Sequence, residues 1–216
     1  MVEIKPEYVI SDEAGLREVF KTPNPESLSQ KKCIDYLDKH ARDFIARAPF
    51  LCLGTQAPDG LADVTPRRDP EGFVKVLDAR TLVIPERPGN NRIDSLTNIV
   101  ANPNVGLIFL VPGFDETLRV NGTAQVTTDP ELLALMEVQE RLPRAAIVVS
   151  VKEVFLHCAK AFRRSKLWDP ASLQDRSEMP SLSKMVLDQS TGAPEDPKEM
   201  AALDAQLEAR YRETMY

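Results

Sequence analysis

The sequence predicts a mainly β protein with flanking helices, an α+β chain built on a closed or partly closed antiparallel barrel of six or seven strands. Two observations carry this expectation. After Pro49 the apolar residues fall in short runs, PFLCLGTQ, LADVTPR, FVKVL and RTLVIPE, separated by Pro-Asp-Gly, Asp-Pro-Glu-Gly and Asp-Ala, which is the spacing of antiparallel strands. Helical stretches interrupt the strands only twice and do not alternate with them, which argues against a parallel doubly wound sheet.

Each element has its own signal. Ser11 or Asp12 can cap a first helix carrying Leu16, Val19 and Phe20, which TPNPES ends. From Ser27 to about Ala48, the residues Ile34, Leu37, Ala41, Phe44, Ile45 and Ala48 recur at three- and four-residue steps. They share one face of a helix of several turns, stopped by Pro49, that packs on the core or on another subunit. In the strand region Asp59-Gly60 is a hairpin turn. Between Asn91 and Asn102, Ile93, Leu96, Ile99 and Val100 stand at helical spacing, and Asn102-Pro103-Asn104 stops the pattern. VGLIFLVP and ETLRVNGTAQVTT are the next strands, turned by Pro-Gly-Phe-Asp. DPELLALMEV is a short helix with Asp129 as N-cap and Pro130 at the first helical position, where no amide hydrogen is needed. AAIVVSVKEVFLHC alternates as one long strand or two joined by a bend. From Ala171 the pattern is lost. The remainder carries nine acidic and five basic side chains, a net of −4, and ends in the helical stretch KEMAALDAQLEARYRETMY; the expectation is a packing or dimer-bracing extension.

Composition sets outer bounds. A chain of 216 residues that is 43% hydrophobic and 28% charged is ordinary soluble material, enough for one large domain or a domain with a tail. With 33 acidic against 27 basic side chains its net charge is −6, which excludes a broad phosphate-binding face for nucleic acid. Cys33, Cys52 and Cys158 are odd in number and far apart, so neither a disulfide framework nor a CxxC zinc site is available. The start, MVEIKPEYVISDEAG, lacks the basic and apolar regions of a signal peptide, and no uncharged apolar run reaches membrane-spanning length. The expected location is the cytoplasm, with no membrane partner.

Few motifs carry chemistry. His40 and His157 are too few and too separated for a histidine metal site, and no metal is expected. His40 falls on the polar side of its helix. His157 and Cys158 form either a packed pair or a Cys-His nucleophile for which no third orienting group is identifiable. There is no GxSxG elbow, P-loop or GxGxxG. Two segments stand out instead. Thr65-Pro66-Arg67-Arg68-Asp69 ends one strand, and Ile84-Pro85-Glu86-Arg87-Pro88-Gly89-Asn90-Asn91-Arg92 leaves another and enters a helix. Guanidinium forks and free amides before a helix make an anion site; the alternative is a solvated turn with the arginines paired to Asp69 or Glu86. Further on, Lys160, Arg163, Arg164 and Lys166 precede Trp168, the only tryptophan. That run is either a solvated basic face or a seat for a planar, anionic ring.

The stretch from DVTPRRDPEGFVKVLDARTLVIPERPGNNRIDSLTNIVANPNVGLIFLVPG through ETLRVNGTA to VFLHCAKAFRRSKLWDP resembles the flavin-dependent proteins of the pyridoxamine 5'-phosphate oxidase class. It is most similar to a branch of FMN-binding proteins with PGNxR and HCxKAxxRSxLW signatures. The resemblance runs from Phe44 to Pro170 and implies an FMN-binding split barrel in residues 49–170, between a helical extension (1–48) and a helical tail (171–216). It also implies a homodimer with FMN at the subunit interface. On this pattern Arg67 reaches the FMN phosphate, with Arg68 and Asp69 beside it. Val83, Ile84, Pro85, Glu86 and Arg87 run along the isoalloxazine ring, and Gly89, Asn90, Asn91 and Arg92 complete the phosphate and ribityl site. The partner subunit supplies Arg119 and Asn121, and Ser165, Lys166, Leu167 and Trp168 close over the ring. The true oxidases carry a tyrosine-threonine pair and a serine-arginine-lysine string where this chain reads IPERPGNNR, so a vitamin B6 substrate does not carry over. The branch has glycine where Arg68 stands, which turns Arg68 away from the ligand.

The implied activity is an FMN-dependent oxidoreductase acting on a small organic substrate by hydride transfer at flavin N5, with NAD(P)H as a candidate donor. Lys166 or Arg119 near the ring's N1–C2 edge would stabilise its reduced anion; no catalytic acid or base is nominated. Two alternatives stay open: a flavin-binding protein that stores or senses without turnover, and a split barrel that binds haem or F420, the haem version through His157.

Overall fold

The computed structural model describes residues 4–215 and divides between Ile34 and Asp35 into two compact units. The first contains α1 (Glu13–Val19) and α2 (Leu28–Lys31), neither with a buried residue. Asp12, not Ser11, caps α1: its carboxylate accepts from Gly15 N–H at 2.9 Å.

The single helix expected from Ser27 to Ala48 is two helices, α2 and α3 (Lys39–Arg47). The break has a local cause. Asp38 is extended and its side chain accepts from Ala41 N–H at 2.8 Å, which starts a new helix. Leu37 N–H donates to Ala79 O at 2.7 Å, so it is withdrawn from any helical ladder. Periodicity continues across the break because Leu37, Ala41, Phe44, Ile45 and Ala48 are all buried.

In the second unit β1 (Phe50–Gln56), β2 (Ala62–Arg68), β3 (Lys75–Val76), β4 (Thr81–Glu86), β5 (Asn104–Leu110), β6 (Thr117–Thr127) and β7 (Ala145–His157) form one antiparallel sheet of order β2-β1-β5-β6-β7-β4-β3. The seven strands and their flanking helices are the predicted α+β architecture, and the sheet is open, with β2 and β3 at its edges. FVKVL contributes only two ladder residues, and AAIVVSVKEVFLH is one strand. The turns follow residue chemistry. Gly60, at φ 90°, donates to Ala57 O at 2.9 Å, and Gly113, at φ 85°, precedes Phe114 N–H donating to Val111 O at 3.0 Å. Pro66 sits on the edge strand β2, where a missing N–H is tolerated.

The inner face of the sheet is the core. Leu51 and Leu53, Leu107 and Phe109, Leu118 and Val120, Ile147 and Val149, and Leu82 and Ile84 are each no more than 2% exposed. Burying each such side chain contributes roughly 1.5–3 kcal/mol. α3 packs on β6 and β7, and α4 (Asp94–Ala101) packs on β1, β2 and β6. α5 (Pro130–Ala134) covers β7, placing Leu133 and Met136 against Val83 and Ala146. Asp129 caps it through Glu131 N–H, as expected. β6 bulges between Asn121 and Gly122, where a Cβ on Gly122 would stand 2.2 Å from Ser150 O. α6 (Lys160–Ser165), α7 (Leu182–Asp188) and α8 (Pro197–Thr214) complete the chain, α7 packing on α8. No helix among the described residues is long and apolar enough to cross a membrane.

Candidate functional site

The ends of β2 and β4 are far apart in the ladder order, yet two reciprocal ion pairs join them. Arg67 Nη1, from β2, donates to Glu86 Oε2 at the end of β4. Arg87 Nε, just past β4, donates to Asp69 Oδ2, just past β2, at 2.6 Å. Arg87 Nη2 also donates to Met136 O at 2.7 Å. The arginine side chains are 14% exposed, Glu86 22% and Asp69 1%, so both pairs are withdrawn from water. The pairing weighed above as the alternative to an anion site is thus present for Arg67 and Arg87, but as a buried cross-brace and not a solvated turn.

The loop leaving β4 reaches α4 through two left-handed residues, Asn91 at φ 58° and Ile93 at φ 53°. Asparagine adopts this region readily; a β-branched isoleucine does so at a cost of about 1–3 kcal/mol. Arg92, between them, donates from its backbone to Asn90 Oδ1 at 3.1 Å and from Nε to Asp94 Oδ2 at 2.8 Å, with its side chain 73% exposed.

A polar chain runs beneath this loop. Thr65 Oγ1 lies 2.9 Å from Ser95 Oγ, and Ser95 Oγ donates to Asp63 Oδ2 at 3.1 Å. The same oxygen is 3.4 Å from Thr55 Oγ1, which accepts from Asn98 Nδ2 at 3.0 Å. Ser95, Thr55 and Asn98 are buried.

Together these residues line a cleft of about 800 Å³. It contains Arg67, Arg68, Asp69, Pro85, Glu86, Arg87, Gly89, Asn90 and Arg92, nine of the residues anticipated from sequence. Four arginines there face four acids, Asp63, Asp69, Glu86 and Asp94, so the wall is balanced in charge. Its affinity for an anion therefore depends on donors still to be satisfied. Arg67 Nε is one: it is buried and has no hydrogen-bond partner among the described residues. A buried donor in this condition is what a phosphate oxygen would satisfy.

Other anticipated residues lie elsewhere. Val83 and Ile84 are core residues, 1% and 0% exposed, leaving only their main chain for contact. Asn91 adjoins the cleft without lining it. Arg119 and Asn121 are on the other face of the sheet. Arg119 stands opposite Ile108, Ile108 opposite Cys52 and Cys52 opposite Pro66, whereas Arg67 stands opposite the core residue Leu51; residues directly opposite share a face. Arg119 lies 4.9 Å over the Phe155 ring, and Asn121 donates to Glu153 at 2.6 Å. Ser165 ends α6 and Lys166, Leu167 and Trp168 follow it, with Trp168 against the turn between β5 and β6. Trp168 Nε1 donates to Phe114 O at 2.8 Å and its ring stacks on Phe162, centroids 5.7 Å apart. His40 is exposed as expected; His157 and Cys158 are exposed also, so the packed pair is not formed. No described cluster could hold a metal ion.

The cleft also contains Thr65, which headed the first of the two segments singled out above without a role of its own, Asp63 and Ser95, which sequence reasoning did not select, and Met215 from the far end of the chain. Alternation along β2 places Asp63 and Thr65 on the same face as Arg67, so part of that signal was available.

The family model of pyridoxamine 5'-phosphate oxidase matches residues 37–158, more than half of the chain. The chain belongs to this family. The match spans α3 through the whole sheet and includes both walls of the cleft. A search of the curated proteins returned no match. Among solved structures, HupZ of Group A Streptococcus is 20% identical, covering 55% of this chain and 92% of HupZ, with a TM-score of 0.46. General Stress Protein 26 of Bacillus anthracis is 16% identical over 53% of this chain and 88% of that one, TM-score 0.41. An FMN-binding protein of Syntrophomonas wolfei is 10% identical over 54% and 88%, TM-score 0.42.

Proposed function

We propose that this member of the pyridoxamine 5'-phosphate oxidase family binds FMN and is an oxidoreductase for a small organic substrate. Membership in the family supports the flavin, and the observation that carries the site is the buried, unsatisfied Arg67 Nε in a cleft bordered by the Gly89–Arg92 loop. When bound, FMN supplies hydride chemistry at N5. Arg67 and Arg92 hold the phosphate; the pairs to Asp69 and Glu86 fix the wall from which Arg67 works. The main chain of β4 beyond Val83, which β3 leaves uncovered, offers acceptors and donors to the ring edge.

The site is completed by a second copy of the chain. Arg119 and Asn121 lie on the face opposite Arg67, so they meet a flavin held at Arg67 from a partner, as do Lys166 and Trp168 from the segment after α6. Sedimentation of flavin-loaded protein tests this: one flavin per chain in a two-chain species supports it, and a flavin-loaded monomer refutes it.

One observation favours a second reading, flavin binding without turnover. Within one chain, no His, Cys, Lys or Tyr is among the described residues that line the cleft, and these are the usual proton-transfer groups besides carboxylates; Lys166 from the second copy is the one such group the proposed site would gain. Absorption and fluorescence of purified protein, before and after reconstitution with FMN, decide whether flavin is bound; a colourless protein that takes up none ends both readings. Anaerobic reduction by NADPH or NADH, followed by rapid reoxidation with an added acceptor, separates enzyme from carrier.

A further inference from the structure

We infer that Ser95 is a positioning residue for the anion-binding loop, acting through Thr65 and Asp63 on β2. This rests on the phosphate site proposed above, but its structural half stands on contacts already described. The loop from Pro88 to Ile93 must end in a left-handed isoleucine, a conformation that persists only when neighbouring contacts over-determine it. Ser95, two residues beyond, is 2% exposed, and its hydroxyl lies within hydrogen-bond distance of two β2 side chains, 2.9 Å from Thr65 Oγ1 and 3.1 Å from Asp63 Oδ2.

The protons in this chain can all be placed. Thr65 O–H donates to Ser95 Oγ, Ser95 O–H donates to Asp63, and Thr55 O–H donates to the same carboxylate while accepting from Asn98. The chain ends on a charge, which strengthens each link. Its consequence is geometric. Thr65 and Asp63 precede Arg67 by two and four residues on one face of β2, and Ser95 follows Arg92 by three. One buried hydroxyl therefore sets the separation of two guanidinium groups carried by different elements. Docking of α4 does not need it, since Ile99 is buried in the helix's own packing.

The test uses the full chain with Ser95→Ala, and Thr65→Val as a shape-preserving removal of the partner hydroxyl. Hydrogen exchange on flavin-free protein should show faster exchange in residues 88–95 for both variants, with β5 and β6 unchanged. FMN should bind roughly tenfold more weakly, the scale of one lost hydrogen bond to a charged network, while riboflavin, which lacks the phosphate, changes by less than about twofold. The double variant should be no weaker than Ser95→Ala alone, because the link that Thr65→Val breaks is already absent there. Unaltered loop exchange, or equal losses for FMN and riboflavin, overturns the positioning role. If the unmodified chain binds no FMN, the function proposed above falls, and the exchange measurement still decides whether Ser95 holds the loop.

Discussion

Two seams of the sheet are closed by different means. Between β6 and β7 the backbone ladder runs from Thr117 opposite His157 to Thr127 opposite Ala146, interrupted only at Asn121/Gly122. Between β2 and β4 there is no ladder; Arg67–Glu86 and Arg87–Asp69 do the joining. A ladder brings strands to about 4.8 Å and leaves no room between them. Side chains the length of arginine and glutamate hold strand ends further apart, and the space they keep open is the cleft. The gap between β2 and β4 and the ligand site proposed above are therefore one feature, and its charged residues have a structural duty in the chain by itself.

The two seams should fail differently. Gly122→Ala attacks the ladder: its Cβ would stand 2.2 Å from a backbone oxygen of β7, and no rotamer change relieves backbone. We expect a loss above about 4 kcal/mol, in the range reserved for such mechanisms, or failure to fold, read by urea denaturation and circular dichroism. Asp69→Ala attacks the other seam. It removes the charge opposite a guanidinium that is 14% exposed, and breaking a buried pair on one side costs about 3–5 kcal/mol. The sheet should survive as judged by far-ultraviolet circular dichroism while thermal stability falls. A change below about 1 kcal/mol would mean the pair is solvated and the seam is held by something else.

This contrast also marks what the sequence made legible. Strands and turns could be read because their determinants are local: alternation along β1 and β2, Gly60 and Gly113 at the bends, and Asp129-Pro130 at α5. The break before α3 could not, because Leu37 stays on the apolar face while its N–H is taken by Ala79, a contact 42 residues away in the chain. For the cleft, arginine and glycine content drew attention to Arg67, Arg87 and Arg92. Their partners were harder to read. Asp63 and Ser95 matter through a hydrogen bond between residues 32 apart, and nothing in the local pattern of α4 distinguishes Ser95 from any first-turn serine.

Within the cleft the comparison sharpens to single arginines. Arg92 is 73% exposed, and its partner Asp94 is 45% exposed, so its ion pair contributes little to folding. Arg92→Ala should leave stability within about 0.5 kcal/mol yet weaken FMN by roughly 1.5–3 kcal/mol, the scale of a charge-assisted phosphate bond. Fluorescence titration with FMN checks it, and an unchanged dissociation constant removes Arg92 from the site.

The smallest effect is expected one residue from the largest concentration of charge. Arg68 follows Arg67 on β2 and borders the cleft, but the pleat starts its side chain from the opposite face, level with Phe50 and Leu110, where it is exposed and has no ion pair among the described residues. Its reach to a phosphate held at Arg67 is through solvent, where salt screens over about 8–10 Å. Arg68→Ala should therefore change stability by less than about 0.5 kcal/mol and FMN affinity by less than about twofold at physiological salt. Only at low ionic strength should the loss grow. A loss as large as that of Arg92→Ala, persisting in high salt, would have a specific meaning: Arg68 shares its face with Arg119 and Asn121, so a direct contact from it would come from the partner's side of the flavin. One titration at two salt concentrations thus reports whether the outer face of the sheet, as well as the seam, touches the ligand.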